Sequence, residues 1–318
     1  MKKIVIAFII IAVVVVLFAY ISKKTGISNP SDDKKIKVVT TIFPQYDFVR
    51  EIAGDKVNLQ MLLKPGAESH SYEPTPQDIL KIQNSNIFIY VGGESDEWIE
   101  KILSSIDTKN IAIMPMMSLV KAVEEEVVEG MQEEDEEENG EIEYDEHVWT
   151  SIANDKKIVS AISQQLQILD SDNADFYKEN TKKYLAKLDA LDAEFKDIVA
   201  KSKRKTIIFG DRFPFRYFAD EYGLKYFAAF RGCSTETQAS PATIAFLINK
   251  VKQDKIPVVF YIEMSNEKIA DVIVESAKVK KLLLHSGHNL NKQDFENKVS
   301  FIDLLKRNAE NLKEALWQ

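Results

Sequence analysis

The chain has 318 residues, of which 45% are apolar and 29% charged, and a single cysteine, Cys233. This length predicts about two domains, and one cysteine excludes an internal disulfide framework and a cysteine-based zinc ribbon or finger. A formal charge of −9 without a concentrated Lys/Arg stripe argues against nucleic-acid binding, where phosphate neutralisation supplies most of the affinity.

The sequence opens on an unbroken apolar run of eighteen residues, Ile4 to Ile21, flanked by Lys2-Lys3 and Lys23-Lys24. Such a run reaches the lower limit for crossing a bilayer core of about 30 Å. Bulky Phe18, Tyr20 and Ile21 stand where a cleavage site would carry small residues. Residues 1–24 are therefore expected to be an uncleaved membrane anchor, with a cleaved signal as the alternative. Residues 25–35 read as a polar linker, and the body beyond them is expected to be exported.

From residue 36 strand-like and helix-like segments alternate. Ile36–Phe43 is β-rich, Asp47–Ala53 has helical spacing, Val57–Leu63 is extended, and Pro76–Gln83 is helical. Ile87–Val91 (IFIYV) is wholly apolar, as expected for a strand buried on both faces of a parallel sheet. Trp98–Leu103 and Ile111–Pro115 continue the pattern. An acidic stretch then interrupts it. Residues 124–146 hold fourteen Asp or Glu and no Lys or Arg, which leaves 41 basic against 36 acidic residues elsewhere. With Gly130, Asn139 and Gly140 inside it, the loop 122–146 reads as solvated and disordered.

A long helix is expected over about Asp175–Lys201. Phe176, Tyr184, Leu188, Leu191, Phe195 and Ile198 recur at three or four residues, with one step of eight bisected by Asn180. Asp170, Ser171 or Asp172 can cap its start. Some 27 residues at 1.5 Å each span roughly 40 Å, enough to tie two lobes together. Beyond it, Thr206–Phe209, Tyr226–Phe230, Val258–Ile262 and Leu282–Leu284 read as strands. Arg216–Tyr222, Pro241–Val251, Asn266–Ala277 and Asp294–Trp317 read as helices. The expected fold class is α/β: lobes at 36–170 and 203–318, each a mostly parallel sheet flanked by helices, joined by a rigid helix over 171–202.

All four histidines, His70, His147, His285 and His288, sit beside turn residues or an aromatic, which points to one shared metal site. In parallel α/β sheets ligands bind beyond the carboxyl ends of the strands. His285 directly follows a strand, and His70 follows Val57–Leu63 through a turn with Pro65 and Gly66. His147 lies where the acidic loop returns to ordered chain, with Trp149 as a packing anchor. An interlobe cleft is the simplest meeting place. Asp211, after TIIF, is a candidate carboxylate ligand, whereas Glu73 and Glu263 read as structural or bracing groups. The chain lacks HExxH, GxSxG and phosphate-loop motifs, and Cys233 has no neighbouring His to make it a nucleophile.

HSYEPTPQDI, EHVWTS, FRYFADEYGL and STETQASPATIAFL, in this order over about residues 36–318, resemble the zinc/manganese-binding solute receptors of bacterial ABC importers, the adhesin-type group. The resemblance implies two α/β lobes joined by a long helix, with one divalent metal between them. Its first-lobe ligands would fall on His70 and His147, and its last, usually an acid after a late strand, on His285. The remaining ligand, a His or Glu before an aromatic-rich helix, falls in Gly210–Arg212. There this chain offers Asp211 and two extra residues before Tyr217, with His288 as the alternate. Three imidazoles and a carboxylate favour transported Zn2+, with Mn2+ as the alternative. The implied partner is the membrane permease of an ABC importer, the chain itself acting as a monomer. A zinc-dependent hydrolase with an open coordination position and a metal-binding adhesin are the alternative functions. The family's common lipid-anchoring cysteine is absent, in agreement with a membrane anchor. Its zinc-specific members often carry histidines where this chain has acids, which can gather cations electrostatically.

Overall fold

Two four-stranded sheets with the same winding organise the chain. The computed structural model describes residues 35–67, 72–131, 143–232, 234 and 238–318. Strands β1 (Lys37–Thr40), β2 (Asn58–Met61), β3 (Ile87–Tyr90) and β4 (Ala112–Pro115) are all parallel, in the order β2-β1-β3-β4. In the second half, β5 (Thr206–Phe209), β7 (Lys225–Phe227), β9 (Val258–Tyr261) and β10 (Lys280–Leu283) are parallel in the order β10-β9-β5-β7. Short β6 (Arg212–Phe213) pairs with β8 (Phe230–Arg231) beside them. In both sheets the first strand is central, the second lies to one side, and the third and fourth lie to the other. The winding therefore reverses between β1 and β3 and again between β5 and β9, and the crevices that take ligands open at those points.

Among the described residues ten helices cover the sheets: α1 (Phe43–Ala53), α2 (Pro76–Gln83), α3 (Glu97–Ser105), α4 (Ile152–Leu169), α5 (Ala174–Ala200), α6 (Arg216–Tyr222), α7 (Pro241–Gln253), α8 (Lys268–Ala277), α9 (Lys292–Glu296) and α10 (Phe301–Trp317). The first strand stops at Thr40, short of the expected Phe43, because α1 starts there. Pro44 sits in its first turn, and Gln45 Oε1 accepts from the Thr41 and Ile42 amides at 2.9 and 3.2 Å. Helix α4 escaped the periodicity reading. Its buried face mixes Ile158, Val159 and Ile162 with Asn154, Asp155 and Ser163, which hides the apolar stripe. The Ser151 hydroxyl caps it, accepting from the Asn154 amide at 3.2 Å.

Helix α5 runs for 27 residues along both halves. Tyr184 meets Phe48 of α1 edge-on at 6.0 Å, Phe195 meets Phe218 of α6 at 5.1 Å, and the Trp317 indole of α10 donates to the Ile198 carbonyl. Tyr177, not Phe176, is its first core residue, fully buried with its hydroxyl on Asp170, while Phe176 is 39% exposed. Asn180 at the step of eight donates to the Ile52 carbonyl at 3.0 Å. Near the end of the chain, the expected single helix Asp294–Trp317 divides into α9 and α10. Lys298 adopts φ 56 between them, and Ser300 opens α10 with a capping box to Asp303. The expected strand Tyr226–Phe230 likewise divides into β7 and β8, bent where the Ala229 amide donates to the Asp211 carbonyl.

The arms of the acidic loop are ordered, against expectation. Glu124 and Tyr144 form an antiparallel bridge, and the Tyr217 hydroxyl accepts from the Val123 amide and donates to the Asp145 carbonyl. Arg216 pairs with Glu126, and Arg231 with Glu143. Composition could not reveal partners that lie some hundred residues away in the chain. The tip, 132–142, the expected anchor 1–24 and nearly all of the linker lie outside the described residues. Among the described residues no helix is long and apolar enough to cross a membrane.

Candidate metal centre

His147 ends the second acidic arm, just before a single 3-10 turn, Val148–Thr150. It is buried, its amide donates to Asp145 Oδ1 at 2.7 Å, and its Nδ1 lies 3.1 Å from the same oxygen. A carboxylate at Nδ1 holds the proton there and leaves the Nε2 lone pair for a metal. Burial acts to lower the imidazole pKa, but the charge and hydrogen bond of Asp145, with Glu146 and Glu125, outweigh it and hold it above 6.5. Gly232 lies against the ring: a Cβ there would sit 3.1 Å from His147 Nδ1.

The second group comes from the loop after β10. Gly287, at φ 79, turns the chain between His285 and His288, and a Cβ on it would strike the Phe301 ring at 2.5 Å. The two histidines of HSGH thereby part company. His288 lines the cleft with His147, their ring centroids 6.5 Å apart and each about 5 Å from the Trp149 ring. His285 is buried in the cleft wall. Its backbone amide and carbonyl are both bonded to Asn308, and its Nδ1 lies 3.3 Å from Glu263 Oε1.

Glu263, just past β9, braces this loop. It accepts from the Ser286 amide at 2.7 Å, the Ser286 hydroxyl at 2.5 Å and the His288 amide at 3.1 Å. Burial acts to raise its pKa, but the charge and hydrogen bond of His285, with the Ser286 bonds, push it down to about 2. Asp211 is buried too. Its Oδ1 accepts from the Arg212 amide, and burial lifts its pKa against the opposing bonds from Ser265, Arg212 and Ile262. It is the next residue, Arg212, that lines the cleft.

Two adjoining hollows share His147 and His288. One is lined by Ala67, Arg212, Glu263 and Met264, the other by Tyr72, Asp96, Trp98 and Glu146, and each is about 30 Å³. Such a space has room for an ion with a water or two. Among the described residues no three His, Cys, Asp or Glu side chains converge as a metal cage. His70 lies outside the described residues, but Ala67, three residues earlier, lines the cleft, and Asn289 Nδ2 holds its carbonyl at 2.8 Å. Arg212, Glu263 and His288 all line the cleft, and of these Arg212 is the one that the sequence does not single out. Their positions after β5, β9 and β10, beside one winding reversal, are the signal that groups them.

The family model for the periplasmic component A of the zinc-uptake complex (ZnuA) matches residues 38–315. The high-affinity zinc uptake system protein ZnuA of Bacillus subtilis (strain 168) is 31% identical over 314 residues, covering 97% of this chain and 96% of that protein. The zinc-binding lipoprotein AdcA of Streptococcus pneumoniae serotype 4 is also 31% identical, over 90% of this chain, which spans only 57% of its length. Among solved structures, the metal-dependent lipoprotein YcdH of B. subtilis superposes with a TM-score of 0.75 at 29% identity, over 89% of this chain and 100% of that one. The Zn(II)-bound ZnuA-like domain of S. pneumoniae AdcA gives 0.74 at 28%, with the same two coverages.

Proposed function

The chain belongs to the zinc-uptake complex component A family, and we propose that it captures Zn2+ outside the cytoplasm and hands it to the permease of an ABC importer. The observation that carries this reading is the pairing of His147 and His288 across a small cleft, the His147 imidazole oriented by Asp145 and the His288 backbone held by Glu263. The named relatives are zinc uptake and zinc-binding proteins.

For the ligands we propose His147 and His288 from the cleft and His70 from the segment after Ala67. His285 and Asp211, the other two sequence candidates, then act from the wall, His285 through Glu263. Neutral imidazoles suit zinc better than the oxygen-rich sets that manganese favours. The family is one of zinc-uptake proteins, which supports an ion as cargo over an ester or amide substrate. The apolar run Ile4–Ile21 supports a tether to the membrane, with the body divided at 36–170, 171–202 and 203–318 and acting as a monomer.

Zinc titration of the metal-stripped protein in competition with a chromophoric chelator, repeated with manganese, tests the reading. Tight zinc binding and much weaker manganese binding are expected; no preference between the ions, or no binding, would sink it.

A further inference from the structure

The sequence holds no basic stripe, but the fold assembles one at the end of the second sheet far from the cleft. Exposed lysines stand at the entry to each of its four strands: Lys280 opens β10, Lys255 precedes β9, Lys205 precedes β5 and Lys225 opens β7. The Lys225 amide donates to the Lys205 carbonyl at 2.7 Å and the Lys280 amide to the Pro257 carbonyl at 3.0 Å, so the entries lie side by side. With neighbouring strands about 4.8 Å apart, the row is roughly 15 Å wide. Exposed Lys203 and Lys278 extend it. Asp197 and Asp254, in the adjoining helix ends, are met by Lys201 and Lys250. Glu314 pairs with Lys280 itself, and Glu275 in the last turn of α8 adds one negative charge. Structural roles account for part of the row. Cations in or beside a last turn offset the helix dipole, which suits Lys255 and Lys278. Lysines guard the edges of sheets, which suits Lys225 and Lys280 on the outer strands. Lys205, five residues past α5 and before an inner strand, answers to neither role.

We propose that this row of lysines is a docking face for an anionic lipid surface. Charge complementarity is the first argument, since lysines near such a surface each strengthen binding by roughly fivefold. Direction is the second. The acidic arms meet Arg216 and Arg231 and end in His147 at the cleft, beyond the carboxyl ends of the strands, whereas the lysines stand before the amino ends. Opposite charges are thus separated along the strand axis. A body charged in this way turns its basic end to a negative surface and its acidic arms away from it. Opportunity is the third argument, because a body tethered through Ile4–Ile21 meets the bilayer at high effective concentration. Docked by its lysines, the molecule opens its cleft toward the medium from which the cation is taken. Handing the cation to a permease then requires release from the lipid.

The inference draws on the tether reading, and the test separates the two. The full chain is floated with vesicles of phosphatidylcholine alone or of phosphatidylcholine with phosphatidylglycerol, and its lysines are acylated and quantified by mass spectrometry. On anionic vesicles at low salt, Lys203, Lys205, Lys225 and Lys255 should react about fivefold more slowly than on neutral ones. Lys101 and Lys182, exposed on α3 and α5, should react alike on both. At about 1 M salt, where the Debye length falls to about 3 Å, the protection should vanish. A chain carrying Lys203→Gln, Lys205→Gln, Lys225→Gln and Lys255→Gln should bind zinc as the wild type does, which shows that it is folded, and should lose the protection of Lys278 on anionic vesicles. Equal reactivity of the row on both vesicles, protection that survives high salt, or protection of Lys278 retained in the variant would overturn the inference. Protection by soluble polyphosphate and not by anionic vesicles would assign the face to a polymer and overturn it too. Flotation with anionic vesicles alone keeps the docking face and removes the tether, and flotation with neither removes both.

Discussion

Trp149 donates its indole N–H to the Ser286 carbonyl at 2.9 Å, joining points 137 residues apart in the chain. One partner lies two residues after His147 and the other two residues before His288. The indole ring lies about 5 Å from both imidazole rings, so a single side chain sets their separation. Its burial makes this contact stiff: Trp149 is 1% exposed.

Replacing Trp149 by Phe keeps most of the packing and removes the donor. The Ser286 carbonyl then loses its partner, at a cost of roughly 1–3 kcal/mol. Urea unfolding should show that loss, and zinc affinity should fall with it because the His288 loop is freed. Full zinc affinity in a destabilised Trp149→Phe protein would separate the indole from the metal site.

Direct ligands and wall residues should differ in chelator competition. His285→Ala and Asp211→Asn should weaken zinc binding by no more than the roughly 10–100-fold expected for outer partners. His147→Ala and His288→Ala should each lose more than that. A ranking with His285 above His288 would move the metal to the other side of the loop.

Asp47 of α1 is fully buried, accepts from the Phe301 amide and pairs with Arg50. Burial outweighs Arg50 and lifts its pKa from 3.8 to about 6. Since the folded value is the higher, the native state holds this proton more tightly than the unfolded chain does. Its stabilising contribution is complete below about pH 4 and is lost as pH rises to about 6. Asp47→Asn should therefore gain on the wild type across that window, by up to about 3 kcal/mol. Denaturant midpoints at successive pH values measure the gap, and a constant gap would contradict the buried-carboxyl account.

Tyr217→Phe removes two hydrogen bonds from the acidic arms, those to the Val123 amide and the Asp145 carbonyl. We expect a loss of about 1–3 kcal/mol and faster proteolytic cleavage between residues 120 and 147. Because Asp145 orients His147, zinc affinity should fall as well. Unchanged proteolysis would mean that the Arg216 and Arg231 pairs hold the arms without the tyrosine.

The parallel sheets were legible because their strands are short apolar runs: IFIY, TIIF and VVFY each fell where expected. Helix α4 was not, since Asp155 and Asn154 occupy its buried face and break the pattern by which such helices are recognised. In the cleft, the loop containing His288 could be foreseen from a strand end, and the segment containing His147 from the return of the acidic loop to ordered chain. Which of His285 and His288 lines the cleft could not. It depends on Gly287 turning back under Phe301, a tertiary contact that HSGH does not encode locally. Arg212 was hidden for a similar reason, because adjacent residues at a strand end point opposite ways and only packing shows which one faces the void.

The stretch from His288 to Leu290 is laced to the first half of the molecule. The Phe43 amide donates to His288, the Gly66 amide to Leu290, and Asn289 holds the carbonyls of Lys64 and Ala67. A jaw-like opening would have to unfasten all of these together with the Trp149 contact. With these bonds kept, cargo would enter and leave by side-chain and loop rearrangement at the rim. A transporter that distinguishes loaded from empty carriers must then sense the lip of the cleft, since the angle between the halves would stay nearly constant.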